Sequence, residues 1–183
     1  MKNIAYSILF IISIIFSGAV QKAIAGTADI KLFGTLVAEP CILGDGGDGK
    51  DITVDFGTIP AKNFYSIYSN RTWTQKFKIV LLECDLTLGN LVKVTFNGTE
   101  DAEQPGLLAI TSVDGVQHIA LGIESEAGIE LPINQQTNAY TLNSGTTELN
   151  FMAYVQASET GVKNKDIGFG NFNAVASFSL EYP

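Results

Sequence analysis

From residue 28 onward, apolar side chains fall on every second position in short stretches rich in Val, Ile, Thr, Phe and Tyr, separated by Gly, Asn and Asp. A period of two is what a strand shows when one face is buried, because successive side chains point to opposite sides. The pattern predicts strands at 28–37, 51–58, 74–83, 91–97, 107–112, 118–124, 147–157 and 172–182. A helical period nowhere persists beyond about two turns. Short strands punctuated by turn residues point to an all-β sandwich in one domain. Trp73, Phe77 and the run Ile79-Val80-Leu81-Leu82 read as buried strand, and the glycine-rich loop 44–50 as the most flexible turn.

The first 25 residues break this pattern. Lys2 precedes a nearly unbroken apolar run from Ile4 to Phe16, and Ala23-Ile24-Ala25 supplies the small-x-small pattern of a signal peptidase site. The run is short for a membrane anchor and is followed by polar Gln21 and Lys22. Residues 1–25 are therefore expected to be an export signal, 26–38 an N-terminal extension, and 39–183 the folded domain.

Charge narrows the class of partner. Without Lys2 and Lys22, nine basic residues face 19 acids, a formal charge of −10. The basic residues are scattered singly, whereas a nucleic-acid surface needs them clustered, so nucleic acid is an unexpected partner. The two cysteines, Cys41 and Cys84, both lie in the exported part, where an oxidising compartment favours one disulfide. It would close a long loop, worth about 4 kcal/mol on the chain-entropy account. A metal is disfavoured, since two cysteines and one histidine cannot fill a tetrahedral shell without carboxylates.

The two ends of the mature chain carry the functional information. In 28–36 the even positions Ala28, Ile30, Leu32, Gly34 and Leu36 are apolar or glycine, and the odd positions are mostly polar. In 174–182 the even face is Ala174, Ala176, Phe178, Leu180 and Tyr182, running almost to the last residue, Pro183. A sandwich ending in this way leaves an apolar strand with an uncovered edge, which exposes ladder donors and acceptors. One molecule's head could complete another's tail by strand addition. Burying Ile30, Leu32 and Leu36 would then contribute roughly 5–9 kcal/mol. On the pattern alone, an ordinary first strand paired within its own sandwich fits residues 28–36 equally well. That second reading describes a self-contained secreted β-sandwich binding a carbohydrate or protein as a monomer.

These features resemble the pilins assembled by the chaperone-usher pathway of Gram-negative bacteria. The resemblance spans the mature chain and rests on the alternating extension with Gly34, on Cys41 and Cys84, and on the aromatic C-terminal strand. A glycine fourteenth from the C-terminus and a penultimate tyrosine, here Gly170 and Tyr182, add to it. Within the family, Phe33-Gly34 through Pro40-Cys41, Val94 to Glu100, and Pro105-Gly106 look most like minor tip subunits of P-pilus type, including the adaptor. The resemblance implies an incomplete immunoglobulin-like sandwich, six-stranded and lacking its seventh strand. A periplasmic chaperone would hold it open, and at the outer-membrane usher the extension of another subunit would replace the chaperone's strand. Ala28, Ile30, Leu32, Gly34 and Leu36 would form the donor strand. Gly170, Ala174, Ala176, Phe178, Leu180, Tyr182 and Pro183 would form the acceptor groove and the chaperone and usher recognition surface. Pro183 departs from the pattern in having no backbone N–H to donate. The implied destination is the fimbrium, through the periplasm. The mature length is expected to leave no room for an adhesin's receptor-binding domain, so an adaptor, tip-fibre or shaft subunit is implied.

Catalytic chemistry finds no support. His118 is the only histidine, and no nucleophile-elbow pattern accompanies it. Asp45, Asp48 and Asp51 form an incomplete calcium series with no bidentate glutamate following. Asn70-Arg71-Thr72 and Asn97-Gly98-Thr99 read as turns, and Gly168-Phe169-Gly170 lacks the third glycine and helix of a dinucleotide site. No enzyme, cofactor, metal or small-molecule substrate is expected.

Overall fold

The computed structural model describes residues 39–44, 51–66 and 69–183. The expected export signal (1–25), the predicted first strand (28–37) and most of the glycine-rich loop lie outside the described residues. Among the described residues ten strands form: β1 (Ile42–Leu43), β2 (Gln75–Cys84), β3 (Leu91–Asn97), β4 (Leu108–Ala109), β5 (Thr111–Ser112), β6 (Ile119–Ser125), β7 (Tyr140–Thr141), β8 (Gly145–Ala157), β9 (Phe172–Asn173) and β10 (Ser177–Glu181). Among the described residues a short helix, α1 (Glu159–Asn164), follows β8, and a 3-10 turn spans Ala61–Tyr65.

The strands make a five-stranded sheet in the order β1-β2-β8-β6-β4, a three-stranded sheet β10-β3-β7, and a small β5-β9 ladder. Every ladder is antiparallel. The alternation that predicts strands also decides how the two main sheets meet. Thr147, Leu149, Phe151, Ala153, Val155 and Ala157 of β8 all point inward and are buried. Facing them, Val92, Val94 and Phe96 of β3 are sealed by the opposite sheet. Phe151 sits at the centre, with its ring 5.0 Å from Phe96, 5.6 Å from Phe77 and 5.8 Å from Tyr140. Edge-to-face and offset contacts of this kind add to the stabilisation from burial itself. A smaller cluster of Phe64, Ile119, Val155, Ala157 and Ile167 closes the end near α1.

Several expected strands are divided, and for one reason. A run that changes neighbours midway must leave one ladder before joining another. The stretch 107–112 breaks at Ile110, because β4 pairs with β6 while β5 pairs with β9. The stretch 172–182 breaks at 174–176, because β9 pairs with β5 while β10 pairs with β3. Residues 51–58 keep their alternation of half-buried and exposed side chains up to Gly57 but join no ladder among the described residues, so the strand expected there is an extended segment without a sheet partner among them.

Two bulges account for side chains that alternation places wrongly. Arg71 lies opposite Gln156 and Gln75 opposite Ala153, so four residues on one strand span three on the other. The extra residue re-aims its neighbours, and Trp73, expected in the core, is 89% exposed. At the other end of β2, Leu81 opposes Thr147 and Cys84 opposes Gly145, with Glu83 at positive φ (53°). Strict alternation from inward-facing Leu81 would turn Cys84 outward. The bulge turns it inward instead, where it is buried and joined to Cys41 by a disulfide. Within the run 79–82, Ile79 and Leu81 are core, whereas Leu82 is on the outer face and exposed.

The outer face of β8 carries one sealed aromatic. Tyr154 is fully buried, with the Arg71 guanidinium 4.2 Å over its ring, and Arg71 in turn pairs with the buried Glu124 carboxylate at 3.0 Å. Gly122 makes this possible, since a Cβ there would stand 2.1 Å from the tyrosine ring. Burial, with the Glu130 carboxylate nearby, pushes the Tyr154 hydroxyl up to about 12.

Candidate functional site

β10 is bonded to β3 along one edge, from Ser177 opposite Asn97 to Glu181 opposite Lys93. Its other edge has no ladder partner among the described residues. Across from that edge runs the extended segment 51–57, with Ile52, Val54 and Phe56 half-buried on one face. Its backbone takes a local side-chain hydrogen bond, from the Gly57 N–H to the Asp55 carboxylate at 2.7 Å. Two β-patterned stretches thus lie alongside a gap.

The gap is an apolar groove. A cavity of about 690 Å³ has Ile52, Val54 and Phe56 on one wall and Ala174, Ala176 and Phe178 on the other. Its floor is Phe77, Phe96, Leu121, Ile123 and Ala153. The small side chain of Ala153, between Phe151 and Val155 on the inward face of β8, leaves depth there that a larger residue would fill. A second cavity of about 390 Å³ continues it, sharing Ile52, Val54, Phe56, Leu121 and Ala174 and reaching Gly170 and Phe172.

The burial pattern of the last strand records the same opening. Residues 172, 174, 178, 180 and 182 are half-covered and the odd positions between them exposed, but Ala176, expected on the same inward face, is exposed as well, so the alternation lapses at 176 and no side chain of the strand is sealed. Ala174, Ala176 and Phe178 line the main cavity and Gly170 lines the second. Leu180 and Tyr182 pack against the central cluster without lining either cavity. Burial raises the Tyr182 hydroxyl, with the Glu39 carboxylate adding to the effect. Pro183 is exposed. Ala28, Ile30, Leu32, Gly34 and Leu36 lie outside the described residues.

Gly170 has a local reason to be glycine. Its φ is +140°, and a Cβ would stand 2.3 Å from the Asp114 side chain. Asp114 accepts from the Asn171 backbone N–H at 3.0 Å and from its side-chain amide at 3.1 Å, while the Ser112 hydroxyl donates to the Asn171 carbonyl at 2.9 Å. These bonds clasp loop 112–116 to loop 168–171 at the mouth of the second cavity.

His118 serves as a structural clasp elsewhere. Its Nδ1 is 2.9 Å from Glu103 and its Nε2 3.4 Å from Asp166. The Glu103 contact holds the imidazole above its ordinary value, against a smaller effect of burial. Glu103 is held below the usual carboxylate range, first by the Ser158 hydroxyl and then by His118. Ser158 also caps α1, accepting from the Gly161 N–H at 3.1 Å. Among the described residues its hydrogen-bond and ion-pair partners are the carboxylates of Glu103 and Asp166.

Sequence reasoning missed the second wall of the groove. Ile52, Val54 and Phe56 were readable as an alternating run, but the pattern does not say that the run would stand apart from any sheet.

Comparison with known proteins accords with this geometry. A family profile described as "Fimbrial protein" matches residues 30–183. The fimbrial-like protein YcbV of Escherichia coli strain K12 is 32% identical over 183 residues, covering 100% of this chain and 99% of that one. The fimbrial adapter PapK of Escherichia coli is 30% identical over 174 residues, covering 93% and 96%. Among solved structures, the P pilus rod subunit PapA superposes with a TM-score of 0.65 at 25% identity, covering 79% of this chain and all of that one.

Proposed function

The chain belongs to the fimbrial protein family, and from that premise we propose that its groove is filled by the N-terminal strand of another fimbrial subunit. As a member it is a structural pilin of chaperone-usher type, an all-β immunoglobulin-like subunit that assembles with other subunits into surface fimbriae, and not an enzyme. The observation that carries the strand reading is the edge of β10 that has no ladder partner among the described residues and that faces segment 51–57 across an apolar groove. Alternate side chains of an inserted strand would enter the slot, and its backbone would satisfy the free edge of β10.

In the same reading this chain's Ala28, Ile30, Leu32, Gly34 and Leu36 enter a neighbour's groove, with Gly34 admitting close backbone approach where that groove is shallow. Gly170, Ala174, Ala176, Phe178, Leu180, Tyr182 and Pro183 form the surface that receives a strand. Before assembly, a periplasmic chaperone occupies the groove, and the outer-membrane usher receives the complex. The similarity to an adapter supports a minor tip or adaptor role contributing to cell adhesion.

The test is to mix the purified mature chain with a synthetic peptide of residues 26–38. Binding at about 100 times Kd should add roughly 2.7 kcal/mol, raising Tm by about 5–10 °C, and a peptide with Gly34→Arg should raise it far less. A monomeric chain whose melting is unchanged by the peptide would overturn the reading.

A further inference from the structure

We propose a second contact between subunits: the disulfide end of one copy of this chain seats its aliphatic side chains on an apolar rim at the groove mouth of the next copy. The inference rests on the strand reading above and adds a body-to-body interface to it.

Nine large hydrophobic residues are exposed among the described residues, and seven of them fall in two groups. The first is Ile42, Leu82, Leu86 and Leu88. Ile42 and Leu82 are cross-strand partners on the outer face. The turn that carries Leu86 and Leu88 folds onto Pro40, with the Asp85 N–H donating to the Pro40 carbonyl at 2.8 Å. The second is Val113, Phe169 and Val175, 90%, 74% and 82% exposed. Val113 and Phe169 project from the two loops clasped through Asp114 and Asn171, and Val175 borders the main cavity.

The groups stand at opposite ends of the sandwich. Cys84 opposes Gly145 at the start of β8, whereas Ile119 opposes Ala157 at its finish, next to the loops bearing Val113 and Phe169. Thirteen residues of β8 span about 40 Å. The last residues of the chain lie at the disulfide end, where Tyr182 feels Glu39.

Strand direction brings the two groups face to face. Taken as antiparallel to β10, the direction of every ladder among the described residues, the added strand leaves the groove near Gly170–Ala174. Only Val37 and Ala38 separate Leu36 from Glu39, a reach of about 10 Å. The donor's body must therefore stand at the groove mouth, presenting the end where Glu39 and Pro40 emerge. That end carries Ile42, Leu82, Leu86 and Leu88, and the mouth carries Val113 and Phe169. Two different patches of one chain form a head-to-tail contact that can repeat.

A charge-reversal cycle tests this on the full mature chain, read as the dissociation rate of assembled oligomers. Phe169→Glu and Leu88→Lys should each speed dissociation about tenfold, equivalent to about 1.4 kcal/mol. The double variant, which places opposite charges across the contact, should recover most of the loss. Val113→Glu provides an independent reporter at the mouth, and uptake of the 26–38 peptide by each variant verifies a folded groove. Unchanged rates in the single variants, or additive loss in the double variant, would overturn the contact while leaving the strand reading intact. A wild-type chain that neither assembles nor takes up peptide would remove the strand reading, and this contact with it.

Discussion

β3 and β10 are neighbours in one sheet and carry the same alternating pattern, yet their inward faces end in different states. Val92, Val94 and Phe96 of β3 are buried, while Phe178 and Leu180 of β10, directly opposite Phe96 and Val94, are only half-covered. Hydrophobicity does not separate them. β3 has neighbours on both edges, β10 and β7, and the opposing sheet above it. β10 has one neighbour among the described residues, and the layer above its inward face is the gap beside segment 51–57. An alternating strand therefore states a demand for burial, and topology decides whether the same chain meets it.

The comparison can be pressed hardest on its closed side. Phe151→Ala removes the ring that Phe77, Phe96 and Tyr140 pack around, and should cost about 3–5 kcal/mol in urea unfolding of the free chain. A loss below about 1 kcal/mol would mean that this core is not the closed region it is taken to be. On the open side, Phe178→Ala should cost only about 1 kcal/mol in the free chain, because the ring is half-covered to begin with. Its cost should grow when the 26–38 peptide is bound, since the ring is then sealed. Equal costs with and without peptide would erase the contrast between the two sides.

The smallest expected effect lies away from both sheets. The His118 pKa is raised in the folded state by Glu103. Its contribution is therefore fully present below the unfolded value near 6.5 and fades as pH climbs through the raised folded value. Glu103, lowered by Ser158 and His118, contributes above its unfolded value and loses that contribution as pH falls through its lowered folded value. The urea midpoint of the wild type should thus fall between pH 6 and pH 8 by more than that of His118→Gln. Parallel pH profiles for the two proteins would show that the clasp carries no charge-dependent stability.

Much of this architecture was legible in residue order. Leu91–Asn97 forms a strand with the boundaries its alternation predicts, and β2, β6 and β8 differ from expectation by a residue or two at their ends. These are long runs with a single set of neighbours, where the period alone fixes the facing. The bulge at Leu81–Cys84 was not legible, nor was the displacement of Trp73, because an inserted residue changes facing without changing composition. The short strand Tyr140–Thr141 has too few residues to show a period. For the groove, Ala174, Ala176 and Phe178 could be read from the alternating tail. The opposing wall of Ile52, Val54 and Phe56 could not, since its role depends on a ladder that the segment does not join.

The disulfide has a mechanical consequence. Cys41 lies two residues beyond Glu39, next to the proposed N-terminal extension, and its partner Cys84 ends β2, which is laddered along most of its length to β8. A pull on the extension is therefore delivered through a covalent link to a long strand pair loaded in shear, bypassing the two rungs of β1. Many hydrogen bonds share such a load at once, so the sandwich resists tension at the point where a single short strand would peel away.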